Sequence, residues 1–326
     1  MPLLLTGQDI HISQFWLSPT AINPANAGFF DGNLRVGAYN RTQWMAITKA
    51  YQTMGVSADF PIVKRIRKQD LFGLGIMIDY DQKGDSKLTA IQGNLLFSYA
   101  HALDSRNNNF FMGGISLGGG QTSWDYALLR WDQQYNDGIY DPNAGHGETF
   151  NGDNYLFGDI GAGIQWFYQP GFLDFYQIGF SVYHINRPRN SMLKTKDDRL
   201  PVKWVANVVT SIEVHKDIAI IPATYLSIQD IYREFLLGAT YSHTLPIDVK
   251  GFKNKALIGL FYRWKDAVYL SAGMEWRRVT FSISYDFNVS GLTVASNARG
   301  GVELMLSYIF KKKTYLKRKD IPCPIF

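Results

Sequence analysis

Between Lys255 and Phe310 apolar and polar residues alternate with a period of two through three successive runs. Val279, Phe281, Ile283, Tyr285 and Phe287 fall on one face of an extended chain, with Thr280, Ser282, Ser284 and Asp286 on the other. Val302, Leu304, Leu306, Tyr308 and Phe310 repeat the pattern opposite Glu303 and Ser307, and Val268, Leu270, Ala272, Met274 and Trp276 repeat it opposite Ser271, Gly273 and Glu275. Successive strand side chains point to opposite faces, so each run carries one apolar and one polar face. A soluble sandwich alternates too, but these runs last roughly 9–11 residues, the length of a tilted strand across a bilayer. Trp264, Trp276, Phe287 and Phe310 stand at run ends, where an interfacial girdle places aromatics. The stretch reads as transmembrane hairpins.

Composition points the same way. Of 326 residues only 19% are charged, 15% are aromatic and 30 are glycine. No apolar run approaches the ~18 residues of a helical span, which excludes one. The net charge is a modest +5, with basic residues gathered at Lys64, Arg65, Arg67 and Lys68 and again at Lys311, Lys312, Lys313, Lys317, Arg318 and Lys319. Nucleic-acid binding needs such patches on a folded groove with stacking aromatics; they read here as solvated loops and a tail, with no nucleic-acid partner. Cys323 is the single cysteine, so there is no internal disulfide and no thiolate metal cluster.

Alternation marks about 14 strand-like runs: 34–41, 51–60, 71–80, 91–101, 110–119, 155–168 and 172–184, then 202–214, 218–228, 234–243, 255–264, 268–276, 279–287 and 302–310. With an even count both ends of the barrel wall lie on one side. The connections at 105–107, 169–171, 215–217 and 277–278 then share that side, while the long ones at 122–154, 186–201 and 288–299 share the other. Short periplasmic turns and long external loops are the habit of outer-membrane barrels. Four segments follow: 1–7, a remnant of an export signal or a misplaced start; 8–31, an irregular stretch that plugs the periplasmic mouth; 32–310, the barrel; and 311–326, a basic periplasmic tail. Pro222 predicts a bulge or kink in its run, and Asp174 falls on an apolar face near the periplasmic end.

Catalytic signatures are missing. There is no nucleophile elbow, Walker loop or dinucleotide fingerprint, and the six histidines are scattered; His184 is a conceivable candidate for a membrane hydrolase. Asp125, Asp132, Asp137, Asp141, Glu148 and Asp153 crowd the 122–154 loop. Such hard oxygen ligands are compatible with Ca²⁺, but their spacing matches no EF-hand loop and a solvated loop is the commoner cause; no other cofactor is expected. Arg35, Asp59, Asp79, Asp159, Lys203, Glu213, Lys255, Arg263 and Glu303 occupy polar strand faces, where inward charges pair or line a channel.

The segment from Phe15 to Trp44 holds Asn23-Pro24-Ala25 with Gly28, then Arg41, Gln43 and Trp44 after the first strand. Tyr262-Arg263, Asp266-Ala267-Val268 and the stretch Tyr285, Asp286, Phe287, Asn288, Val289, Ser290 follow late in the chain, and Cys323-Pro324-Ile325-Phe326 closes it. In this order they resemble the PorP/SprF family of Bacteroidota outer-membrane proteins. The resemblance implies a role in type IX secretion and, in some members, gliding. Its implied partners are large surface adhesins or other cargo with a dedicated C-terminal domain, and periplasmic secretion-ring or peptidoglycan-binding components. From the residues themselves, Trp124, Tyr126, Trp131, Tyr135 and Tyr140 in the longest loop are amphipathic anchors suited to docking.

The expectation is therefore a non-enzymatic, all-β, transmembrane antiparallel up-and-down barrel of about 14 strands in the bacterial outer membrane, in contact with its lipid. It assists secretion or surface anchoring of adhesin-like cargo. The alternative is a channel for small or hydrophobic solutes.

Overall fold

The computed structural model describes residues 9–43, 50–62, 70–84, 87–125, 132–136, 139–141, 143–145, 154–171, 173–189, 199–246, 254–290 and 299–311. The first five strands are β1 (Leu34–Gln43), β2 (Tyr51–Ile62), β3 (Leu71–Lys83), β4 (Leu88–Ala102) and β5 (Asn109–Ser123). A small hairpin of β6 (Tyr135–Asn136) and β7 (Ile139–Tyr140) interrupts the following loop. The wall resumes with β8 (Asn154–Tyr168), β9 (Phe175–Tyr183), β10 (Lys203–His215), β11 (Ile218–Gln229) and β12 (Tyr232–Thr244). It finishes with β13 (Lys255–Arg263), β14 (Ala267–Trp276), β15 (Val279–Asn288) and β16 (Arg299–Phe310). Each wall strand pairs antiparallel with its neighbour in sequence, β5 with β8, and β1 pairs with β16 from Leu34↔Phe310 to Gln43↔Gly301. The result is a closed, up-and-down barrel of 14 strands.

The apolar faces point outwards. Ile258 and Leu260 on β13 are 61% and 57% exposed, while Asp286 and Glu303 on β15 and β16 are buried in the lumen. Every carboxylate and lysine described within the wall lies on the lumen side of its strand; Arg233 faces out, at the long-loop rim of β12. This polarity is inverted relative to a soluble barrel, and lipid is the solvent that such a face demands. Outward aromatics pair near both rims. Trp166 stacks on Tyr168 and Tyr308 meets Phe310 edge-on at the short-turn end, while Phe180 meets Trp204 and Tyr262 meets Trp264 at the long-loop end. These are the two girdles of a membrane barrel.

Two local expectations are corrected. Asp174 is not on an apolar strand face: β9 begins at Phe175, and Asp174 lies in the preceding turn, where its carboxylate accepts from Glu213 N at 2.6 Å. Pro222 stays in register with Ala239 of β12 and faces outwards, and the ladder to β10 lacks the rungs opposite Pro222 and Ile221 instead. The register shift of that ladder falls further on, between Glu213 and His215. A proline without an N–H removes a rung on one side only, and the strand need not bend.

Fourteen strands enclose more space than their own side chains fill. Residues 9–33 lie in it as irregular backbone, with 3-10 turns at Phe15–Leu17 and Pro24–Asn26 and the single helical turn α1 (Pro19–Ile22). The buried apolar cluster is the contact between this segment and the wall: Phe15 meets Tyr225 at 5.2 Å, and Phe29 packs edge-on against Phe110 and Phe167.

Candidate functional site

The segment runs the length of the lumen. Asp9 stands at the long-loop end beside His184 and Lys203, and Asn33 N donates to Phe310 O at the short-turn end. Three groups of wall residues hold it.

The first group takes the outer part. Arg41 of β1 donates to Asp286 Oδ2 at 2.7 Å and to Glu303 Oε2 at 2.8 Å, and Arg263 of β13 reaches the same Asp286 oxygen at 3.1 Å and Glu234 at 3.1 Å. Both guanidinium groups also donate to Ser13 Oγ. Glu303 accepts from Ser13 N and Gln14 N at 2.8 Å each, and Tyr269 OH donates to Ser13 O at 2.7 Å. Buried charge is tolerable because opposite charges and backbone donors surround it, with Glu234 Oε1 and Arg263 Nε facing each other as an ion pair that makes no hydrogen bond. Beside this group, burial and then the cations Arg41 and Arg263 push the His11 imidazole well below its usual range.

The second group is a clasp at the outer mouth. His184 Nδ1 lies 2.9 Å from Asp159 Oδ1, and its Nε2 lies 3.1 Å from Asp9 Oδ2, which Lys203 Nζ also approaches at 3.1 Å. His184 and Lys203 bracket the β9–β10 loop, so both roots of one external loop grip the same carboxylate. Burial alone would lower the His184 pKa; the carboxylates of Asp9 and Asp159 override it and raise it to about 9. Burial works against the Asp9 charge as well, yet Lys203 and His184 hold its carboxyl well below the usual range. The geometry requires a left-handed backbone at His184 (φ 58), which ends β9 at Tyr183.

The third group cradles Asn23–Gly28. Asn23 Nδ2 donates to Ile164 O at 2.8 Å, and its Oδ1 accepts from Ala25 N at 3.0 Å, capping the turn that Pro24 begins. Gly28, with φ +69, donates its N–H to Asp59 Oδ2 at 2.7 Å, and Arg35 pairs with Asp59 at 2.8 Å. The wall is cut back to make room. A Cβ at Gly73 would stand 1.8 Å from Ala27 O, and one at Gly114 would stand 2.4 Å from Ala25 N.

The sites expected from sequence divide in two. Asn23, Pro24, Ala25, Gly28, Arg41 and Asp286 meet in or around the lumen segment, with the Gln43 amide against the Arg41 guanidinium and Asn288 buried at the end of β15. Ser290, half-buried, follows just beyond β15. Trp124, Tyr135 and Tyr140 lie away from these, in the β5–β8 loop, with Tyr135 and Tyr140 ring centroids 5.4 Å apart across the small hairpin. Trp44, Tyr126 and Trp131 lie outside the described residues, as do Asp137, Glu148 and Asp153 of the suggested Ca²⁺ loop, the first basic patch and the tail beyond Lys311. Gly73, Gly114, Ser13 and Asp9 were not singled out from sequence. The signal that could have found the glycines is their parity: both stand at lumen positions of alternating strands.

Residues 5–308 match the model of a family described as type IX secretion system membrane protein PorP/SprF. In structure the chain is similar to the toluene transporter TbuX of Ralstonia pickettii, at 9% identity over 90% of this chain and 92% of that one, with a TM-score of 0.54. It is similar also to the toluene transporter TodX of Pseudomonas putida, at 10% identity over 93% and 95% of the two chains, with a TM-score of 0.53. At that identity the likeness is one of fold. No curated protein matches the sequence. A family match over nearly the whole length, together with a barrel whose apolar face is turned to lipid, places the protein in the outer membrane: the chain belongs to the PorP/SprF family of type IX secretion system membrane proteins.

Proposed function

We propose that this barrel is a non-enzymatic adaptor that assists secretion or surface anchoring of large adhesin-like cargo carrying a dedicated C-terminal domain. The observation that carries the reading is the occupied lumen. Residues 9–33 fill it from mouth to mouth, tied by ion pairs and backbone hydrogen bonds, and the spaces left beside Leu17, Pro19 and Arg35 are about 20 Å³ each, room for a single water. A body so filled offers its outer loops and rims to partners. Trp124 and Tyr135 are exposed on the longest loop, as aromatic anchors of a docking face are. On the periplasmic side the short turns face secretion-ring or peptidoglycan-binding components. The loop carboxylates are left as a Ca²⁺ candidate to be tested by metal titration.

The test is recovery of the intact barrel from outer membranes of cells that express cargo. The adaptor reading expects a large surface protein to come with it, and Trp124→Ala with Tyr135→Ala to lower that recovery at least tenfold, with two anchors lost. A barrel that brings down no such protein overturns it. A steady open conductance in planar bilayers would favour the channel alternative, in which the lumen passes small or hydrophobic solutes, of the kind that the names of the toluene transporters give for those proteins.

A further inference from the structure

We infer that the lumen is a polypeptide-binding channel, which its own N-terminal segment occupies in cis and which will take an equivalent peptide in trans. The wall reads the main chain of its occupant. Glu303 presents one carboxylate oxygen to each of two successive N–H groups, Ser13 and Gln14, at 2.8 Å. Asp59 accepts from Gly28 N at 2.7 Å. Lumen hydroxyls donate to segment carbonyls: Tyr269 to Ser13 O at 2.7 Å, Ser181 to Ile22 O at 2.6 Å and Ser98 to Ala27 O at 2.5 Å. These partners come from five different strands and are spread over sixteen residues of the occupant, Ser13 to Gly28.

Packing within a fold is usually settled by side chains, with each segment satisfying its own backbone locally. Here long-range side-chain groups are spent on the N–H and C=O groups that every peptide carries. That is how a protein recognises extended chain while leaving sequence to pockets. The pockets are present too: one takes Phe15 against Tyr225, the other takes Phe29 between Phe110 and Phe167. The cut-back wall at Gly73 and Gly114 lets backbone approach closely. The occupant is joined to the wall by one covalent link, Asp31 to Asn33 at the short-turn rim, and its far end is held by the clasp on Asp9. The ligand class is therefore an irregular polypeptide of about this length with two aromatic anchors. The inference does not rest on the adaptor role, and a barrel that fails to capture cargo would leave it standing.

The experiment keeps the whole chain. A protease site placed between Asp31 and Gly32 is cut after folding, the segment is washed from the detergent-solubilised barrel, and a synthetic peptide of residues 9–31 is titrated back. The expected result is saturable binding that restores the unfolding temperature and closes the conductance of the emptied barrel. The same peptide N-methylated at Ser13 and Gln14 keeps every side chain and lacks the two donors to Glu303; it should bind at least tenfold more weakly. If the cut segment resists washing, exchange against a fluorescent copy is followed instead. Absence of binding or exchange, or equal affinity of the methylated peptide, overturns the inference, because the segment would then be permanent core rather than a bound ligand.

Discussion

Arg41 and Asp286, 245 residues apart in sequence, meet at 2.7 Å in the lumen with side chains 2% and 3% exposed. One belongs to the first strand and the other to the fifteenth. The pair links two stretches that carry the family resemblance, and through Ser13 it ties both to the N-terminal segment. Removing Arg41 alone strands two carboxylates, Asp286 and Glu303, beside a single remaining guanidinium. Arg41→Ala should therefore cost about 3–5 kcal/mol of stability, read as a lower midpoint in urea unfolding of the refolded barrel. Arg41→Ala combined with Glu303→Gln should recover part of that loss.

The clasp at the outer mouth predicts a loss of hold in alkali. The His184 pKa is raised above its unfolded value of 6.5 to about 9, so its contribution is fully present below pH 6.5 and disappears as pH rises through about 9. Asp9 runs the other way: its pKa is depressed, so its contribution holds above the ordinary carboxylate range and is lost only in strong acid. A spin label at position 9 of an Asp9→Cys variant lacks the clasp and serves as the mobile reference. A label at Ile10→Cys should be immobile at pH 6 and more mobile near pH 10, stopping short of that reference because Lys203 still holds Asp9. His184→Gln should flatten the profile.

Glycine positions supply an internally controlled comparison. Gly73→Ala drives a methyl into Ala27 O, whereas at Gly93 and Gly113 an added Cβ meets nothing within 4 Å. Gly73→Ala should destabilise by about 1–3 kcal/mol. Gly93→Ala and Gly113→Ala should be neutral or stabilising by up to about 1 kcal/mol. Equilibrium unfolding in detergent micelles would separate the three.

Leu260, at the middle of β13, tests which solvent the outer face meets. Lysine there should cost about 2–4 kcal/mol for folding into phospholipid vesicles, the value for a charge at mid-bilayer depth on a barrel wall. Lysine at Val214, near the short-turn end of β10 and 65% exposed, should cost no more than about 1 kcal/mol.

What the sequence made legible was the wall. Its signal is local: a period of two survives whatever the chain packs against, so all 14 wall strands overlap runs read from alternation. The boundaries slipped where a distant partner sets them, as at His184, which leaves the strand in order to reach Asp159 and Asp9. The lumen was legible only in part. Arg41, Asp286 and Asn23–Gly28 stood out through the family resemblance, but nothing in their spacing says that Ser13 lies between the first two. That position depends on barrel closure, and the irregular segment has no period from which its path could be read. The aromatics proposed for docking belong to a loop, where no alternation gives a register from which to read their placement.

Ten consecutive residue pairs join the first strand to the last, and Arg41, on that same seam, already grips Ser13. Filling the lumen therefore also braces that seam from within. An occupied cylinder should resist parting along the seam better than an emptied one, whichever peptide fills it.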